Sequence, residues 1–143
     1  MNARSSVLPN IPKVMHPKTG QVLAQEGLRK LFGELAACQV RVSSDEYVQA
    51  YLQAHPALVE VISGVGRTAR GEFGPQAELT LQVYRDPEIH EEYLALVVRL
   101  SAYGPEMFTR LEKVMATHEK ELAAQDGSLL ITTDYRPPLA HAL

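Results

Sequence analysis

Two runs of strict alternation, separated by a short link, constrain this chain more than any other feature. Leu79, Leu81 and Val83 alternate with Thr80, Gln82 and Tyr84. Leu94, Leu96, Val98 and Leu100 then alternate with Tyr93, Ala95, Val97 and Arg99. A period of two is that of a strand with one buried face. The link from Arg85 to Glu92 is too short for a parallel crossover, so the two runs are expected to form an antiparallel hairpin. Its inner face is then Leu79, Leu81, Val83, Leu94, Leu96 and Val98.

The segments around this hairpin read as helices. Leu28, Leu31, Phe32 and Leu35 lie at helical spacing and predict a helix over 22–37. Ser43 followed by Glu46 has the form of a capping box, opening a helix through Tyr47, Val48, Tyr51 and Leu52 that stops near His55-Pro56. Pro56 starts another, with Leu58, Val61, Ile62 and Val65 as its stripe, closed by Gly71 and Gly74-Pro75. Gly64-Val65-Gly66 falls inside that pattern and reads as close helix packing or an early helix end. The longest helix is expected from Pro105 to Ala124, its stripe being Met107, Phe108, Leu111, Val114, Met115 and Leu122. Asp126-Gly127 ends it, and Leu129 to Asp134 reads as a third strand. The expected fold is α+β: a three-stranded antiparallel sheet packed by helices on one face, in the order α-α-α-β-β-α-β. The domain spans residues 21–138, between an irregular basic arm over 1–20 and a frayed tail over 139–143.

Composition narrows the class. A chain of 143 residues, 45% apolar and 22% charged, is of ordinary size and make-up for one folded domain. The single cysteine, Cys38, makes no intramolecular disulfide and no CxxC clip, which suits a reducing bacterial cytoplasm. No apolar run is long enough to span a bilayer. The net charge of -3 hides an asymmetry. Arg4, Lys13, Lys18, Arg29, Lys30 and Arg41 face only Glu26 and Glu34 in residues 1–42, a balance of +4 that leaves -7 for the remainder.

That distribution frames the candidate sites. If helices cover the inner face of the sheet, the outer face presents Tyr84, Tyr93, Arg99, Asp134 and Arg136, with Thr80, Gln82, Val97 and Thr132. Tyrosine and arginine dominate interaction hot spots, so these five are the candidate binding residues. A solvated face with Arg99 paired to Asp134 across strands is the competing reading. Helices from 22–70 covering this face would be another. Asp86, Glu88, His90, Glu91 and Glu92 crowd the hairpin link, but their spacing fits no closed metal site. With Asp134 and Arg99, Asp86, Glu88 and His90 define an alternative, a small hydrolase or nuclease-like enzyme. Residues 1–42 define another, nucleic-acid binding. His118 lies on the apolar stripe of the long helix, as a buried acid or base or as a satisfied core-edge histidine. His55 is expected to cap or fill the helix junction. Cys38 lies at the end of a helix, the less activating end for a thiol. There is no GxSxG and no glycine-rich phosphate loop with a lysine. No catalytic residue, metal, cofactor or small-molecule ligand is therefore assigned.

Residues 47–138 also resemble a type of small uncharacterised bacterial protein. The resemblance rests on Tyr51-Leu52-Gln53-Ala54-His55-Pro56, Phe73-Gly74, the stretch from Leu79 to Glu88, Tyr93 to Arg99, and Thr132 to Pro138. It implies that residues 43–138 are one structural unit and carries no site residue with it. The functional expectation is a non-catalytic interaction or accessory protein that binds a protein partner or its own copy, with no role at a membrane.

Overall fold

The predicted hairpin forms the middle of the sheet. The computed structural model describes residues 25–88 and 91–139. Strand β2 (Glu78–Asp86) pairs antiparallel with β3 (Glu91–Arg99) over nine residues each, from Glu78 opposite Arg99 to Asp86 opposite Glu91. Leu79, Leu81, Leu94, Leu96 and Val98 are all 2% exposed or less, and Val83 packs against the same core.

The sheet is larger than the sequence implied, and it is mixed. Among the described residues four strands lie in the order β1-β2-β3-β4. The added strand, β1 (Val40–Val42), runs parallel to β2, and β4 (Leu129–Thr132) runs parallel to β3. The expectation of three antiparallel strands is therefore corrected. Each parallel pairing has a physical reason: a helical segment between its two strands carries the chain back to its starting end. Helices α2 (Asp45–Ala54) and α3 (Leu58–Phe73) make the return from β1 to β2. Helices α4 (Met107–Thr117) and α5 (Glu119–Ala123) make it from β3 to β4. A further helix, α1, covers 25–37 ahead of β1. Among the described residues the order is α-β-α-α-β-β-α-α-β, an α+β fold. The expected arm over 1–20, and residues 140–143 of the expected tail, lie outside the described residues.

One apolar cluster unites the inner sheet face with α1, α2, α3 and α4. Leu31 and Leu35 of α1, Val48 and Leu52 of α2, Leu58 and Val65 of α3, and Val114 of α4 are all about fully buried within it. Some details differ from the sequence reading. The capping box does not form: the Ser43 N–H donates to Leu81 C=O at 2.9 Å, and Ser44, at φ 57°, caps α2 without a side-chain bond. Helix α3 runs straight through Gly64-Val65-Gly66. A Cβ on Gly64 would stand 3.2 Å from His118 Cε1, so this glycine permits close approach of α3 to the junction of α4 and α5. The predicted long helix breaks at His118 into α4 and α5. The final strand stops at Thr132, two residues short of the Asp134 expected.

Candidate protein-interaction surface

The five candidate binding residues fall into two groups at opposite ends of the outer face. Tyr84 and Tyr93 are cross-strand partners near the hairpin link, their rings 5.0 Å apart and tilted by 32°. Burial pushes the Tyr93 phenol above its ordinary pKa, with Tyr84, Glu91 and Asp86 adding to the effect. Tyr84 is 45% exposed. Arg99 stands six residues further along β3, about 20 Å away at the rise of a strand. Thr80, Gln82, Ala95, Val97, Leu130 and Thr132 lie between. Ala95 and Val97 are buried there, although they stand outside the core cluster of the inner face.

The Arg99 group is a latch. Arg99 Nη2 lies 2.7 Å from Asp134 Oδ2, and its Nε bonds both carboxylate oxygens at 3.2 Å. Its Nη1 lies 3.5 Å from Glu78 Oε1. Glu78 Oε2 also accepts from Arg41 Nη1 at 3.0 Å and from the Leu139 N–H at 3.1 Å. The chain after β4 is thereby tied back across the end of the sheet, and Pro138 is buried beneath it. The hydrogen bond from Arg99 holds Asp134 below the ordinary carboxylate range, against the effect of partial burial. The Arg136 side chain stays exposed, while its N–H donates to Asp134 Oδ1 and its C=O accepts from the Tyr103 hydroxyl.

What this latch holds in place is Tyr135, which sequence reasoning passed over. Its φ of 58° is the left-handed region that a bulky side chain rarely enters. Its N–H donates to Thr133 Oγ1 at 3.1 Å, and its ring lies 5.1 Å from that of Tyr103. Strain of this kind persists only where the surroundings impose it. The result is a ring 60% exposed beside two other exposed apolar side chains, Phe108 at 64% and Leu130 at 41%. The three line an open groove of about 1080 Å³ between α4–α5 and β4, floored by Leu111, Met115, Leu122 and Ile131. The edge of β4 runs along it, since among the described residues β4 pairs with β3 on one side only.

A second concavity, about 970 Å³, lies between α1, α3 and α5. Its lining mixes Leu28, Leu52 and Val59 with Lys30, Glu34, Glu60 and Glu121, and it presents no exposed aromatic. The α4–β4 groove is the stronger candidate on that contrast.

The alternative constellations are dispersed. Asp134 and Asp86 sit at opposite ends of the sheet, roughly 25 Å apart by strand rise. Asp86 Oδ1 accepts from the Glu88 N–H at 3.0 Å, which shapes the link, and His90 lies outside the described residues. No group of three metal-ligating side chains occurs among the described residues. Of the cations in 1–42, Arg41 pairs with Glu78, and Arg4, Lys13 and Lys18 lie outside the described residues. His55 Nδ1 lies 3.1 Å from Asp126 Oδ1 and its ring stacks on Tyr51, so it joins the end of α2 to the turn before β4.

His118 has Thr68 Oγ1 at 2.8 Å from Nε2 and Glu121 Oε1 at 2.9 Å from Nδ1. That is the order of a hydroxyl, a base and an orienting carboxylate. Thr68, however, lies inside α3 and donates to the Gly64 carbonyl at 3.0 Å. The amides around it are taken by the helix, which leaves none to stabilise an oxyanion. The trio pins α5 to α3.

No family model, curated protein or solved structure matches the chain. No helix among the described residues is long and apolar enough to cross a membrane.

Proposed function

We propose that the protein is a non-catalytic interaction protein, an accessory of the bacterial cytoplasm, which holds a partner in the groove between α4 and β4. One observation carries the reading: Phe108, Leu130 and Tyr135 are 64%, 41% and 60% exposed on one continuous surface beside an open strand edge. Scattered exposed apolar residues need no explanation, but a contiguous patch bordering a groove marks a contact. An open edge offers backbone bonds for affinity, and the flanking apolar side chains select what lies on it. Arg99, Asp134 and Arg136 serve this surface indirectly, by holding the strap that presents Tyr135.

The test is a selection of displayed nine-residue peptides against the immobilised full chain, followed by fluorescence polarisation. Extended peptides with alternating apolar side chains are expected to emerge. Their affinity should fall at least tenfold on Phe108→Ala, while Tyr84→Ala at the far end of the sheet leaves it unchanged. Selected peptides that bind Phe108→Ala as well as the parent chain would remove the groove from the account.

A further inference from the structure

We infer that the natural occupant of this edge is a second copy of the same chain, the two β4 strands pairing antiparallel about a two-fold axis to give one continuous sheet. The inference rests on the interaction reading above and names its partner. It follows from the contrast between the two sheet edges. Edge strands are commonly protected by charge, proline or extreme shortness. Strand β1 has such protection: it is three residues long, and Arg41 at its centre pairs with Glu78. Strand β4 reads Leu-Leu-Ile-Thr, and residues 127–133 carry neither a charged side chain nor a proline.

The register of β4 shows what it offers. Leu94 is the partner of Leu129, and the Leu94 N–H donates to Ser128 C=O at 3.0 Å. In a parallel pair a residue bonds the two neighbours of its partner, so Ser128, Leu130 and Thr132 direct their backbone groups toward β3. Leu129 and Ile131 direct theirs to the open side. A two-fold axis perpendicular to the sheet requires opposed residues to share a face, so it passes midway between one residue and its own copy, and not between two different residues. With Ile131 opposite Ile131 of the second copy, the two Ile131 residues exchange their outward N–H and C=O groups.

Charge and area agree with this occupant. Two-fold symmetry brings each residue near the axis close to its own copy, where a charge would repel itself, and the axis here is neutral. Phe108 and Tyr135, at the areas typical of aromatic side chains, expose about 250 Å² per copy. Leu130 brings the apolar contribution of two copies to roughly 600 Å². The paired edges and the flanks of α4 add to this, and a specific interface needs ~1,000 Å².

Sedimentation equilibrium of the full chain tests the inference, with hydrogen exchange read at the Ile131 amide. The expected result is a monomer–dimer equilibrium in which Ile131 protection rises with protein concentration. Leu130→Lys, which sets a charge beside its own copy, should weaken dimerisation at least tenfold with the circular-dichroism spectrum unchanged. Phe108→Lys on the exposed face of α4 repeats the test should Leu130→Lys fold poorly. A chain that is monomeric throughout the micromolar range, a dimer that survives both variants, or an Ile131 amide indifferent to concentration would each overturn self-pairing. A monomer that still selects groove-binding peptides would do so while leaving the interaction reading intact.

Discussion

Arg70 has more to do with the geometry of this fold than any carboxylate partner would suggest, because it bonds only carbonyls. Its Nε donates to Cys38 C=O at 2.9 Å and its Nη2 to Gln39 C=O at 2.9 Å. Its Nη1 donates to Gly74 at 2.8 Å and to Ala77 at 2.7 Å. One guanidinium thus joins the turn before β1 to the turn before β2. These are the turns where Gln39 and Gly74 hold positive φ values, of 60° and 83°. Burial lowers the Arg70 pKa from its ordinary value, but a guanidinium stays protonated. Arg70→Ala leaves four carbonyls to find water or strain, and should lower stability by about 3 kcal/mol in urea unfolding. Arg70→Lys should recover only part of this, since an ammonium lacks the planar fork that reaches two turns at once. A fully stable Arg70→Lys would show that charge alone suffices. Nothing in the sequence marks this residue: it is one cation in a helix, and two of its four partners are backbone atoms 31 and 32 residues away.

At the scale of elements, the sequence was informative where a pattern repeats locally and silent where pairing decides. The hairpin was legible because Leu79 to Val83 and Leu94 to Val98 each show a period of two on a half-buried surface. Val40-Arg41-Val42 shows a single period, too little to distinguish a strand from a loop, and it becomes one by lying on β2. The direction of β4 is likewise set by the helical return that precedes it. The candidate groove did leave a signal. The long stripe contains two stripes, Met107–Leu111–Val114, which is buried, and Phe108–Met115, seven residues apart on a neighbouring face. A helix with more apolar arc than one core can cover has a second surface to satisfy. Tyr103 supports that surface from below. Its hydroxyl accepts from the Leu100 N–H at 3.0 Å and from Thr133 Oγ1 at 3.3 Å, and donates to Arg136 C=O at 2.5 Å. Tyr103→Phe should therefore reduce stability by about 1–2 kcal/mol and speed exchange of the Leu100 amide. It should also weaken groove binding, because Tyr135 loses the strap geometry that holds it. Stability lost without any change in groove binding would separate Tyr103 from Tyr135.

For the whole molecule, the acid limit of stability is set where the chain is tied together across elements. The Arg110 hydrogen bond lowers the pKa of Glu72, aided by Lys113, where α4 meets the end of α3. The bond from Arg99 lowers that of Asp134, where the strap meets β3. The bond from His55 lowers that of Asp126, at the turn before β4. In each case the folded-state pKa lies below the unfolded one. Such a group contributes its full stabilisation above the unfolded value, and loses it as pH falls through the folded value. Stability should then be level at mildly acidic pH and decline below about pH 4, where unfolded carboxylates begin to take up protons before folded ones do. Urea unfolding from neutral pH down to about pH 2.5 measures the slope. Asp134→Asn should lower the plateau and make the acid decline shallower, because one fewer group takes up a proton on unfolding. Glu72→Gln should do the same independently, since the two sites share no partner and lie on different elements. The double variant should show the two changes in slope added together. An Asp134→Asn chain with the parent's slope would mean that Arg99 gives Asp134 no differential stabilisation, and the strap would then rest on Tyr103 and Glu78 alone.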